Sequence, residues 1–176
     1  NITLHKADLT ELREKLPRMK FDRILSSFAI YYTKNAQKTF SDLYELLSDN
    51  GILFVCGPTE KNNTEFLELV KKSGGNFSED FLKWSEFFEN PAKQILERLF
   101  EKVEIQSFSN PLEFPNEGTL YKYWTATPHH EPRLADKMAE LIAEEFRDGR
   151  TFVTTKFIVG LKCKKSVDAC AFTLAH

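Results

Sequence analysis

Apolar positions change their period several times along the chain, and each change marks an expected element. Ile2 to Ala7 reads as a short strand closed by Asp8, and Leu9 to Leu16 carries helix-forming residues up to Pro17. Phe21 to Phe28 (FDRILSSF) predicts a second strand. From Asn35 onward, Ala36, Phe40, Leu43, Tyr44 and Leu47 recur at helical spacing. Ser48-Asp49-Asn50-Gly51 is the expected helix stop, because Gly and Asn tolerate the left-handed backbone of a helix terminus. Ile52 to Cys56 is apolar at every position, as in a parallel strand buried on both faces under helices.

The second half continues the alternation. Phe66, Leu67 and Val70 mark a helix ending at Ser73-Gly74-Gly75, and Phe77, Phe81, Trp84 and Phe88 keep a helical stripe. Asn90-Pro91 reads as the capped start of a helix whose apolar side holds Ile95, Leu96, Leu99 and Phe100. Val103 to Phe108 predicts a strand, and Asn110 to Thr127 a turn-rich stretch around Tyr121, Tyr123 and Trp124. Leu134, Met138, Leu141, Ile142 and Phe146 define a helix. Phe152 to Cys163 alternates, which suits an antiparallel strand at the far side of the sheet. Strand and helix in turn imply an α/β sheet wound by right-handed crossovers, a single domain over residues 1–165 and a loose tail over 166–176.

Composition narrows the function classes. Twenty-four Lys and Arg against 26 Asp and Glu leave a net charge of −2, which argues against gripping nucleic acid by phosphate neutralisation. The longest aliphatic run, Ile52 to Cys56, is far short of the roughly 20 residues that span a bilayer. Cys56, Cys163 and Cys170 form no CxxC pair, so reduced thiols in a cytoplasmic protein are expected, without disulfide or zinc. The first residues, Asn1 to Asp8, hold neither Met nor an apolar signal core, so neither a natural start nor a secretion signal is expected there.

Few residues advertise chemistry on their own. Asp8 with Glu11 three positions later resembles a capping box. Ser26 and Ser27 end a strand whose carboxyl end is where open α/β sheets hold ligands. Phe28 is either core or the wall of a pocket, and Tyr31 enters a helix. His129-His130-Glu131 sits in a Pro-flanked polar stretch, where a solvated loop is the plainer reading than a base or metal site, and His5 reads as packing. Tyr121, Tyr123 and Trp124 suit either a lid over a substrate or packing at the sheet edge.

The order of these elements resembles the class I S-adenosylmethionine-dependent methyltransferases, in particular their small-molecule branch. Ile2-Thr3-Leu4-His5-Lys6-Ala7-Asp8-Leu9 is similar to that family's third strand, Phe21 to Tyr32 to its fourth strand and the following loop, and Leu46 to Val55 to the helix, glycine turn and fifth strand. Tyr121-Lys122-Tyr123-Trp124 and the final strand resemble its lid and hairpin. The resemblance implies a Rossmann-like sheet with helices on both faces and a C-terminal antiparallel strand. It further implies methyl transfer from S-adenosyl-L-methionine to a small-molecule acceptor without a metal. Asp8 and Leu9 would meet the adenine, Ser26 the methionine group, Phe28 would wall the cofactor pocket, Tyr31 would touch cofactor or substrate, and Tyr121, Tyr123 and Trp124 would lie over the acceptor. No glycine-rich loop follows any strand, so the resemblance implies a C-terminal portion lacking the first two strands and inactive alone. The missing half, or a second subunit, is then an expected partner. The competing expectation is a non-catalytic α/β module that binds a partner chain through its exposed sheet edge; a nicotinamide enzyme is disfavoured by the absence of GxGxxG.

Overall fold

A short helix, α1 (Leu12–Lys15), precedes strand β1 (Phe21–Ser27). Helix α2 (Ala36–Leu46) starts where the Asn35 side chain accepts a hydrogen bond from the Lys38 N–H at 3.0 Å, satisfying one free donor of its first turn. Its stripe of Phe40, Leu43 and Leu46 is buried. Strand β2 (Leu47–Pro58) follows without a loop. The computed structural model describes residues 2–166 of the chain.

Ser48 to Gly51 does not form the expected helix stop: α2 already ends at Leu46, and these residues lie within β2. Phe21 pairs with Leu47 but Arg23 pairs with Ile52, so the extra residues bulge out of the ladder. Asn50 takes a φ of 60° there, and Ser48 Oγ donates to Asp22 Oδ1 at 2.6 Å. A side chain at Gly51 would come within 2.8 Å of the Ser48 carbonyl, which explains glycine at that point.

Helices α3 (Thr64–Lys72) and α4 (Glu79–Glu86) agree with the expected stripes. Asn90-Pro91 departs from expectation. It lies inside a π-helical turn, Phe88–Ala92, leading into α5 (Lys93–Leu99), and the Asn90 side chain accepts from Gln94 Nε2 at 2.7 Å instead of capping. Strand β3 (Lys102–Phe114) is longer than predicted, and the turn-rich stretch is largely helix α6 (Glu117–Thr125), capped by Asn116. Helix α7 (Ala135–Phe146) and strand β4 (Phe152–Lys164) complete the chain.

The four strands form one sheet in the order β1-β2-β4-β3. β1 runs parallel to β2, and β4 runs antiparallel to β2, as the alternation predicted. β4 is an inner strand, not the far one. Ile2 to Ala7 forms no strand: Ile2 and Leu4 are exposed, and β1 is a terminal strand of the sheet, paired with β2. The 166–176 tail, Cys170 included, lies outside the described residues except for Ser166.

By packing, the chain divides into two compact units. The first holds residues up to Thr59, Glu86–Ser107 and those from Ile158 on; the second holds Glu60–Ser85 and Phe108–Phe157. In the first unit α2 packs against β2, and the two faces of the ladder differ. Leu53 and Val55, with Leu161 and Cys163, are buried, whereas Ile52, Phe54 and Cys56 on the opposite face are half-buried and Leu25 is exposed. Among the described residues, burial on this ladder is therefore deeper on the face of Leu53 and Val55 than on the face of Ile52 and Phe54. The second unit encloses a core that includes Trp124, Leu120, Met138, Ile142, Phe66 and Phe152.

Candidate functional site

The carboxyl end of β1 is the natural place to look, because ligands of open α/β sheets sit beyond the ends of parallel strands. There the backbone of Phe28 turns left-handed, with φ of 51°, while its N–H still donates to the Cys56 carbonyl at 2.9 Å. A bulky aromatic in that region costs on the order of 1–3 kcal/mol, and such strain persists only where the surroundings fix it. The turn leaves the Phe28 ring half-free, at 46% exposure, and carries the chain into a one-turn helix, Ile30–Tyr32. Ser26 is half-buried and Ser27 exposed; Cys56 Sγ lies 3.5 Å from Ser27 Oγ.

Tyr31 is buried. Its ring meets Tyr32 at 4.5 Å and the edge of Phe88 at 6.0 Å. Burial, helped by the neighbouring Tyr32 hydroxyl, holds the Tyr31 phenol well above its ordinary range, so it is a poor base. Phe88 in turn lies where any side chain at Gly57 would stand. Sequence reasoning missed this Gly57–Phe88–Tyr31 stack; Gly57 read as a turn and Phe88 as one more member of a stripe.

Leu9 reaches the same loop through Thr39, a fully buried threonine that no motif marks out. Thr39 Oγ1 lies 2.7 Å from Thr33 Oγ1 and 3.3 Å from the Leu9 carbonyl. Lys38 Nζ donates to the Thr10 carbonyl at 2.6 Å, tying the same segment to the start of α2. Asp8 is exposed and makes an Asx turn. Its Oδ1 accepts from the Thr10 N–H at 2.9 Å and the Thr10 hydroxyl at 2.7 Å, and the Thr10 hydroxyl bond leads in holding the carboxyl below its usual range. The capping-box reading does not hold, since the residue before α1 is Glu11 and receives no side-chain cap.

Tyr121, Tyr123 and Trp124 lie in the second unit, on α6. Trp124 is fully buried; its indole N–H donates to the His129 carbonyl at 3.2 Å and its ring meets Tyr121 and His130. Tyr123 contacts Phe66 and Phe114 at 5.0 Å each, and its hydroxyl accepts from Asn63 Nδ2 at 3.1 Å. Asn63 has φ of 59°, and its Oδ1 is buried without a partner. Packing accounts fully for Trp124.

His129 is not a solvated loop residue. Its ring stands edge-on to Phe77 at 5.2 Å and Phe81 at 4.9 Å, and burial lowers its pKa. Glu131 pairs with Arg133 at 2.7 Å. Among the described residues no cluster of His, Cys, Asp and Glu is arranged to hold a metal, and no helix is long and apolar enough to cross a membrane. Burial raises the Cys163 thiol to about 12, so it stays protonated and unreactive.

No protein-family model and no curated protein matches the sequence. Solved structures do match. A "putative methyltransferase" from Bacillus halodurans C-125 superposes over 92% of this chain and 71% of its own length, with a TM-score of 0.56 at 14% identity. A SAM-dependent methyltransferase from Archaeoglobus fulgidus is matched over 92% of this chain and 66% of its own, at 15% identity and TM-score 0.46. The plantazolicin methyltransferase BamL is matched over 91% and 59%, at 12% identity and TM-score 0.43. Identities this low speak to architecture, and the first of these structures carries the comparison. Over 92% of its length the chain shares the fold of that Bacillus halodurans structure.

Proposed function

We propose that this chain is the C-terminal portion of an S-adenosylmethionine-dependent methyltransferase acting on a small molecule, and that it does not turn over alone. The observation that carries the reading is the left-handed Phe28 at the carboxyl end of β1, on a methyltransferase fold. Ser26, Phe28 and Tyr31 are assigned to the methionine end of the cofactor, and Asp8 and Leu9 to the adenine. The groups fit in kind: a half-exposed aromatic face attracts a cation, and Asp8 is exposed at a turn. The set is partial, because backbone donors of a glycine-rich loop are lacking among the described residues.

When bound, S-adenosylmethionine supplies a methyl group on an electrophilic sulfonium. The work left to this chain is alignment: Phe28, fixed by its backbone bond to Cys56, forms one wall, and Tyr31, three residues on, is held by its packing on Phe88. The buried Tyr31 phenol is a poor proton acceptor, and the reading calls for an acceptor atom that is nucleophilic without a base. Tyr123 and Tyr121 are assigned to the acceptor side. A cytoplasmic setting belongs to the same proposal.

A titration with S-adenosylhomocysteine separates the two parts of the proposal. By NMR, about millimolar ligand is expected to shift the resonances of Ser26, Phe28 and Tyr31, and Phe28→Ala to abolish those shifts. No shifts at these residues in a folded chain would overturn the cofactor assignment. Micromolar binding by calorimetry, or methyl transfer by the chain alone, would overturn its incompleteness. The terminal position of β1 supports the second reading, a non-catalytic module that pairs with a partner strand; it predicts complex formation through β1 with no response to the ligand.

A further inference from the structure

His129 is a half-buried titratable side chain that the proposed reaction does not use. Its ring stands against two aromatic rings of one segment, Phe77 at 5.2 Å and Phe81 at 4.9 Å, and those two rings meet each other at 5.2 Å. Phe81 is in α4 and Phe77 in the residues leading into it, and all three belong to the second unit. The two sides of this contact are held differently. The His129 carbonyl accepts from the indole N–H of fully buried Trp124 at 3.2 Å, and the His129 N–H donates to Thr127 Oγ1 at 3.3 Å. α4 has eight residues, fewer than the roughly 12–15 that make an isolated helix even marginal in water. Ser78 Oγ accepts from the Phe81 N–H at 3.1 Å and Lys83 pairs with Glu79 at 3.6 Å, both within the segment itself. Upstream, Gly74 turns the chain with φ of 92°.

We propose that His129 latches this segment: on taking up a proton it releases residues 77–86 from the second unit, while α3, α6 and α7 keep their fold. An imidazolium set against two phenyl rings gives up part of its hydration, and a charge buried without a partner is costly. Because the His129 backbone is anchored to Trp124 and Thr127, the side that yields is the short helix. The latch rests on contacts inside the second unit and does not depend on methyl transfer.

Charge on the neighbouring elements does not offset this cost. On α4, Glu79, Asp80, Lys83 and Glu86 are exposed, and Lys122 on α6 is exposed as well. Beside His129, His130 is exposed and Glu131 is engaged by Arg133 at 2.7 Å. The lowered pKa of His129 has burial as its cause, with no charged group among the causes. Protonation therefore favours a form in which the ring meets water, and that form is reached when α4 leaves.

Amide hydrogen exchange of the whole chain, corrected for the intrinsic effect of pH on exchange, reads the opening directly. From about pH 7.5 to about pH 5.5, across the ordinary histidine value, protection of the amides of residues 83–86 is expected to fall about five- to tenfold. The amides of Phe66 to Val70 in α3 are expected to stay at least about tenfold better protected at both pH values, which marks the opening as local. His129→Phe, or His129→Gln if the phenylalanine chain does not fold, should hold the protection of residues 83–86 constant over the same range. Constant protection in the parent chain, or an equal fall in the variant, would overturn the latch. Loss of protection in α3 to the level of α4 would overturn it in favour of unfolding of the whole unit. An imidazole that titrates by NMR at or above its ordinary value, or residues 83–86 unprotected at every pH, would overturn it as well.

Discussion

In the second unit, Leu120, Trp124 and Met138 are wholly enclosed by neighbours of that same unit. In the first, Leu53 and Val55 are enclosed just as fully on one face of the ladder, while Leu25 on the other is 70% exposed. Both units spend their aromatic residues on packing, but with different results. Phe66, Phe114, Tyr123 and Trp124 fill a closed core, whereas Phe28 is held half-free by a strained backbone at the end of β1. The contrast separates a region that satisfies its apolar surface from one whose ladder is buried more deeply on one face than on the other.

The largest expected effect breaks the closed side. Trp124→Ala removes a fully buried indole and leaves the His129 carbonyl without its donor, so it should lower unfolding stability by about 3–5 kcal/mol in urea titrations. A loss below about 1 kcal/mol would mean that this core is not closed. Gly57→Ala comes next, on the covered face of the first unit. The new methyl group meets the buried Phe88 ring, and overpacking of this kind costs about 1–3 kcal/mol.

The pH dependence sharpens the comparison further. Burial depresses the pKa of His129 in the folded state, so the unfolded chain binds the extra proton first. The His129 contribution to stability is complete above about pH 6.5 and is lost as pH falls through the lower folded value. Thermal unfolding across that window should show a fall that His129→Phe flattens; an unchanged profile would place the His129 ring in water. The smallest effect belongs to the open face, where Leu25→Ser should change stability by no more than about 0.5 kcal/mol. A loss of more than about 1 kcal/mol would show that the face is covered.

Much of this architecture was legible in the hydrophobic pattern. The stripes of Phe40–Leu43 and Met138–Ile142 and the alternation of Val159, Leu161 and Cys163 report burial on one side of an element, and periodicity records that directly. Ile2 to Ala7 misled because a strand needs a neighbour, which local pattern does not encode. Asn110 to Thr127 misled because Pro and Gly suggested turns, while an Asn116 cap and the burial of Leu120 and Trp124 drew Glu117–Thr125 into a helix. Ile52, Phe54 and Cys56 looked doubly buried because an apolar run records what a strand is suited to, not what covers it. At the candidate site, Phe28 and Tyr31 were visible by resemblance, but the strain at Phe28 and the Gly57–Phe88 stack arise from contacts across long sequence separations.

The uneven burial of the first unit's ladder can be tested by its two described thiols, because Cys56 lies on the open face and Cys163 on the enclosed one. Alkylation of the folded chain with iodoacetamide, mapped by peptide mass, should modify Cys56 and spare Cys163 until denaturant is added. Protection of both residues, or equal modification of both, would contradict a ladder buried more deeply on one face than on the other.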